Sequence, residues 1–122
     1  TSSMILDSLV IRTGDVKKLA EFYGDLGANF SYQEHTAIAE ITEGSGSEYL
    51  ASLKICPLAG GQAEADKHLR LGFYIFDFEE KISVLKGKSV VFLAEPAQTD
   101  YGYKAVVVDP DGREVELYRA WM

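Results

Sequence analysis

Asp109-Pro110-Asp111-Gly112-Arg113-Glu114-Val115-Glu116-Leu117-Tyr118-Arg119 opens as a tight turn and continues as a strand, and its reading decides the fold. Proline presets φ at one turn position and glycine accepts φ > 0 at another, so residues 109–112 reverse the chain. From Arg113 the residue types alternate. Val115 and Leu117 point to one face, while Glu114, Glu116 and Tyr118 point to the other. An apolar side that packs is what any sheet needs. Two carboxylates and a phenol in a row on the opposite side describe a polar surface accessible to a ligand.

The chain before this hairpin presents the same kinds of element twice. Leu6 to Thr13 alternates as a half-buried strand, and Gly14-Asp15 breaks it. Asp15 is placed to cap a helix whose apolar positions Val16, Leu19, Ala20, Tyr23 and Leu26 recur at helical spacing, with Gly27 as its stop. Short strands are expected over Phe30–Glu34 and Ala37–Thr42, a turn over Glu43–Ser47, and a longer strand over Tyr49–Cys56, ended by Pro57. Residues 58–66, with Gly60-Gly61, read as a linker.

A second strand then alternates Leu69, Leu71, Phe73 and Ile75 with His68, Arg70, Gly72 and Tyr74. Asp77, with Glu80 three residues on, has capping-box spacing for a second helix with Phe78, Ile82 and Leu85 inward. Strands follow near Ser89–Leu93, Lys104–Val108 and Arg113–Tyr118. An ungapped offset of 62 residues sets Leu9 on Leu71, Ile11 on Phe73, Asp15 on Asp77 and Ile55 on Leu117. That self-similarity means a duplicated module, strand-helix-three strands, over about residues 5–57 and 67–119.

The bounds agree with a single α+β domain of 122 residues. Hydrophobic residues make up 47% and charged residues 25%, which is ordinary for a globular protein. A formal charge of -7 disfavours nucleic acid and anionic membrane surfaces as partners. With one cysteine, Cys56, no intrachain disulfide can form, and no long apolar span or signal peptide is visible, so a cytoplasmic protein is expected. Met4 reads as a natural start, which would leave Thr1, Ser2 and Ser3 as added residues.

Period two names the polar faces of the long strands: Ser8, Val10 and Arg12; Ser52, Lys54 and Cys56; His68, Arg70 and Tyr74; Glu114, Glu116 and Tyr118. So many ionisable groups on an enclosed face need pairing, water or a ligand. The expected ligand-binding set is therefore Ser8, Arg12, Lys54, His68, Arg70, Tyr74, Glu114, Glu116 and Tyr118, with Tyr103. Tyr32, Tyr49, Tyr101 and Trp121 are further candidates for stacking on a flat ligand. Cys56 reads as a small apolar residue rather than a nucleophile, and His35 as an exposed turn residue.

The C-terminal hairpin, with Tyr101-Gly102-Tyr103 and Val106-Val107-Val108 leading into it, resembles that of the vicinal oxygen chelate superfamily. That superfamily includes glyoxalases, extradiol dioxygenases and bleomycin-resistance binding proteins. The resemblance implies two βαβββ modules in a curved, partly closed mixed sheet with helices on the convex side, and a homodimer, to which Trp121 could contribute. In metal-using members it implies one ligand from each of four strands. Carried over, those positions fall on Ser8, near Lys54, on Arg70 and on Glu116, and only Glu116 keeps the residue type. An ammonium and a guanidinium cannot donate a lone pair to a cation. Arg70 can instead present its planar fork to Glu116, with Lys54 nearby, where the metal would sit.

The expectation is a metal-independent protein, similar to the bleomycin-resistance branch, binding a small organic molecule with no cofactor. The alternative is a divalent-metal-dependent lyase, isomerase or dioxygenase using Glu116 and His68 as ligands, with Glu114 as a third candidate.

Overall fold

A computed structural model describes residues 3–42 and 50–120. The turn expected over Glu43–Ser47 and the aromatic residues Tyr49 and Trp121 lie outside the described residues. Two compact units result, one built from the residues up to Gly24 with Ala28–Ala65, the other from Asp25–Gly27 with those from Asp66 onward.

In the first unit the elements are β1 (Ser8–Thr13), α1 (Val16–Asp25), β2 (Ser31–Gln33), β3 (Thr36–Thr42) and β4 (Leu50–Pro57). They form an open four-stranded sheet in the order β1-β4-β3-β2, with β1 and β4 parallel and the other pairs antiparallel. Alternation puts Ile11, Ala37, Ala39, Ala51, Leu53 and Ile55 on the buried side. An apolar sheet face must be covered, and α1 of the same unit buries Leu19, Ala20, Phe22 and Tyr23. Phe22 and Tyr23 meet edge to face at 5.0 Å.

Both ends of α1 form as the sequence implies. The Asp15 carboxylate accepts from the Lys18 N–H at 3.1 Å, satisfying one orphan donor of the first turn. At the other end Gly27 takes φ +122°, and the Ala28 N–H donates to the Tyr23 carbonyl at 3.2 Å, closing the last turn.

The second unit contains β5 (Leu71–Ile75), α2 (Phe78–Gly87), β6 (Phe92–Thr99), β7 (Gly102–Val108) and β8 (Glu114–Arg119). Its sheet has the equivalent order β5-β8-β7-β6. The repeat is kept in register as well as in order. Leu9↔Leu53 and Ile11↔Ile55 in the first unit become Leu71↔Val115 and Phe73↔Leu117 in the second, each residue displaced by the same offset of 62.

Three local expectations need correcting. Asp77 makes no side-chain cap, because its own backbone sits in the left-handed region, φ 53° and ψ 49°. Next, β5 begins at Leu71, so His68 and Arg70 belong to its lead-in rather than to the strand. Finally, β6 starts later and runs longer than Ser89–Leu93. The exit from α2 uses residues up to Val90, whose N–H donates to the Leu85 carbonyl at 3.1 Å, and Ser89 takes φ 61°. Pro96 lies inside β6, where a missing donor is tolerated because β6 is an edge strand with two register shifts.

The β7–β8 turn is densely hydrogen-bonded. The Asp109 carboxylate accepts from the N–H groups of Asp111 at 2.9 Å and Arg113 at 3.1 Å, and Gly112 takes φ +99°. The Arg113 guanidinium, fully buried, donates to Asp109 at 3.2 Å and to Asp111 at 2.8 Å. Burial works against its charge, but the bonds to Asp111 and Asp109 more than offset this and raise its pKa. Across the sheet from the turn, an Arg119 hydrogen bond holds the exposed Glu79 carboxyl below its ordinary pKa and ties β8 to the first turn of α2.

Two stability predictions follow from these contacts. Arg113→Ala leaves a buried carboxylate uncompensated, so denaturant unfolding should report a loss of about 3–5 kcal/mol. The duplicated aspartates should differ: Asp15→Ala removes a cap and should cost about 1 kcal/mol. Asp77→Gly relieves a left-handed residue and loses no cap, so its unfolding midpoint should stay level or rise.

Candidate functional site

Three strands of the second unit carry the candidate site, and backbone register decides its membership. On β8, Val115 and Leu117 are buried, which turns Glu114, Glu116 and Tyr118 to the opposite face. The parallel neighbour β5 sets Gly72 beside Glu116 and Tyr74 beside Tyr118. The antiparallel neighbour β7 sets Lys104 beside Tyr118 and Val106 beside Glu116. Residues directly paired across strands share a face, so Gly72, Tyr74, Lys104, Glu114, Glu116 and Tyr118 share one surface.

Glu116 is the hub of that surface. One carboxylate oxygen lies 3.5 Å from Arg70 Nε. The other lies 3.5 Å from Lys104 Nζ and accepts from the Tyr118 hydroxyl at 3.3 Å. Arg70 also reaches Glu114, with Nη2 3.2 Å from its carboxylate. The Lys104 ammonium stands 5.4 Å from the centre of the Tyr118 ring, within cation–π range. Tyr74 lies against the other part of that ring, centroids 5.6 Å apart and planes tilted by 43°.

An open cleft of about 360 Å³ adjoins this group, lined by Gly72, Phe73, Tyr74, Tyr101 and Tyr118. Gly72 contributes no side chain to that lining. A Cβ there would meet only the Glu116 Cβ, at 3.8 Å, an ordinary contact.

Among the expected site residues, the second unit thus brings together Arg70, Tyr74, Glu114, Glu116 and Tyr118. His68 sits exposed in the lead-in to β5, its backbone N–H donating to Asp66 at 3.1 Å. Tyr103 departs from expectation. It is adjacent to Lys104 on β7 and therefore faces the other way, its ring 5.7 Å from that of the buried Phe78 and 4.3 Å from the Arg119 guanidinium.

In the first unit, Ser8 pairs with Ser52, Val10 with Lys54 and Arg12 with Cys56, all on the face opposite the core. Arg12 donates to the Pro57 carbonyl at 3.0 Å, and Cys56 accepts from the Thr36 hydroxyl at 3.7 Å. His35 lies exposed at the β2–β3 turn, as its position implies. The second cation found on Glu116 is Lys104, a residue the alternation pattern did not single out. Its signal lay in the hairpin: pairing Val108 with Glu114 and stepping four residues along each strand brings Lys104 onto Tyr118.

Among the described residues, no group of three or more His, Cys, Asp or Glu side chains is placed to hold a metal ion. No helix among them is long and apolar enough to cross a membrane.

The model of one protein family, described as the Glyoxalase/Bleomycin resistance protein/Dioxygenase superfamily, matches residues 5–117. No curated protein gives a sequence match. Solved structures with the same fold include Oxidase ChaP-H2, 21% identical, covering 98% of this chain and 97% of its own, with a TM-score of 0.74. TnmS3, an antibiotic binding protein from Streptomyces sp. CB03234, is 19% identical over 99% of both chains, with a TM-score of 0.67. A possible glyoxalase from Bacillus cereus is 21% identical, covering 95% of this chain and 99% of its own, with a TM-score of 0.66. At these identities the likeness is one of fold.

The geometry ranks the ion pairs. Lys104 and Glu116 are only 23% and 21% exposed, whereas Arg70 and Glu114 are 55% and 49% exposed. Double-mutant cycles in denaturant should give the Arg70–Glu114 pair about 0.2–1 kcal/mol. The Lys104–Glu116 coupling should be larger and should survive added salt better.

Proposed function

The chain belongs to the Glyoxalase/Bleomycin resistance protein/Dioxygenase superfamily, and from that premise we propose that it binds a small organic molecule without a metal. The observation that carries this reading is the setting of Glu116. It is the one position where the family's ligand type is retained, and its carboxylate is engaged by Arg70, Lys104 and the Tyr118 hydroxyl. A divalent cation there would have to displace two protein cations that offer it no lone pair and would repel it. The donor set around Glu116 does not fit a metal.

What remains is a recognition surface. The cleft beside Glu116 combines aromatic walls with a small number of fixed polar groups, the usual composition of a small-molecule site. TnmS3, by its name an antibiotic binding protein, has the same fold, which makes sequestration of an antibiotic-like molecule the natural counterpart. The alternative reading, a metal-dependent lyase, isomerase or dioxygenase with Glu116 and His68 as ligands, would need the ion pairs on Glu116 to dissolve. A cytoplasmic homodimer completes the proposal.

Calorimetric titration of Zn²⁺, Ni²⁺, Mn²⁺ and Fe²⁺ into chelator-treated protein should give no saturable site, and sedimentation equilibrium on the same sample should return the mass of two chains. One saturable metal site per chain, lost in Glu116→Gln, would transfer the assignment to the metal-dependent alternative.

A further inference from the structure

Lys54 stands on the side of β4 opposite the buried Leu53 and Ile55. Register sets Val10 of β1 directly beside it on one flank and Ile38 of β3 on the other. Two aliphatic side chains thus border the lysine, which is half-buried.

What the lysine lacks is an anion. Among the described residues Lys54 makes no hydrogen bond and no ion pair. The acidic residue that register brings closest is Glu40, which pairs with Ser52 and is therefore a diagonal neighbour. Such neighbours sit roughly 7–8 Å apart, within reach of two long side chains. Glu40 is nonetheless exposed and, among the described residues, unpaired as well.

The duplication makes this gap informative. The offset of 62 residues makes Lys54 the counterpart of Glu116. Glu116 is met by two cations of its own unit, Arg70 and Lys104, whereas Lys54 is met by no carboxylate of its own. An ammonium partly withdrawn from water and left without a counter-charge gains from an anion supplied from outside.

The surroundings select the kind of anion. Ser8 and Ser52, paired one row away, add only neutral hydroxyl donors. Arg12, one row on the other side, is held on the Pro57 carbonyl at 3.0 Å. One ammonium matches the single charge of a carboxylate better than a phosphate dianion. Val10, 45% exposed, and Ile38 offer apolar area directly beside it.

Resting on the reading of the chain as a metal-independent binder of small organic molecules, we infer that the first unit holds a monocarboxylic acid with a hydrocarbon body. Lys54 pairs with the carboxylate, and Val10 and Ile38 flank the hydrocarbon. Glu40, on the same face, disfavours a second negative charge on the ligand.

The test titrates octanoate, octylammonium and acetate calorimetrically into the full chain in chelator-containing buffer. Lys54→Met, which keeps an unbranched stem and removes the charge, and Glu40→Gln are compared with the unaltered chain. Octanoate should bind at one saturable site, with octylammonium and acetate each at least about tenfold weaker. Lys54→Met should lose about three- to tenfold in octanoate affinity, and Glu40→Gln should gain about twofold. The methyl resonances of Val10 and Ile38 should shift as octanoate is added, and circular dichroism should show both variants folded.

Octanoate affinity unchanged in Lys54→Met, or octylammonium bound as tightly as octanoate, would overturn the assignment. So would an unaltered chain that binds no octanoate. None of these results touches the metal-independent reading, which falls instead if a saturable metal site lost in Glu116→Gln is found.

Discussion

The buried ion pair between Arg113 and Asp109 is the constraint on which the second unit depends. A guanidinium wholly removed from water is tolerated only when its charge is met, and here Asp109 and Asp111 meet it within a single turn, both through Nη1. The same Asp109 carboxylate accepts two backbone N–H groups, so one side chain fixes both the conformation of the turn and the position of the arginine. A turn fixed in this way sets how β7 and β8 pair. A slip of one residue would turn Val115 and Leu117 out of the core and carry Glu116 into it.

The site is thus a consequence of register. Glu116 has Tyr118 beside it by period two along β8; it acquires Lys104 because β7 runs back from the Asp109 turn in one alignment only, and Gly72 because β5 pairs with β8 in parallel. The core and the polar surface are two sides of the same strand. Val115 and Leu117 hold β8 in place, and by period two they aim Glu114, Glu116 and Tyr118 at solvent and ligand.

Duplication explains why the same backbone can carry different chemistry in its two halves. Val10↔Lys54 and Gly72↔Glu116 are equivalent pairs at equivalent places in equivalent sheets. One presents an ammonium beside a valine; the other presents a carboxylate beside a glycine. Asp15 and Asp77 diverge in the same way, the first capping its helix and the second adopting a left-handed backbone with no cap. The repeat preserves hydrogen-bonding geometry and core volume, which the fold demands, and leaves the other face free to vary.

The sequence by itself determined the elements, their order, the duplication and the polar face of β8, because these rest on alternation, turn chemistry and helix spacing, all of which are local. The resemblance also implied that Arg70 would meet Glu116, and it does so from the lead-in to β5 rather than from the strand. Tertiary structure alone decided the rest. Lys104 lies in a run, Lys104-Ala105-Val106-Val107-Val108, that is apolar on both faces, so period two could not assign its side until the hairpin was paired. Tyr103 looked equivalent to Tyr118 in composition but sits on the opposite face, against Phe78. The cleft brings Tyr101, from the β6–β7 turn, together with Gly72 and Tyr74 of β5 and Tyr118 of β8. Neighbours distant in the chain are chosen by strand pairing and backbone approach, and neither is written in the residues that end up in contact.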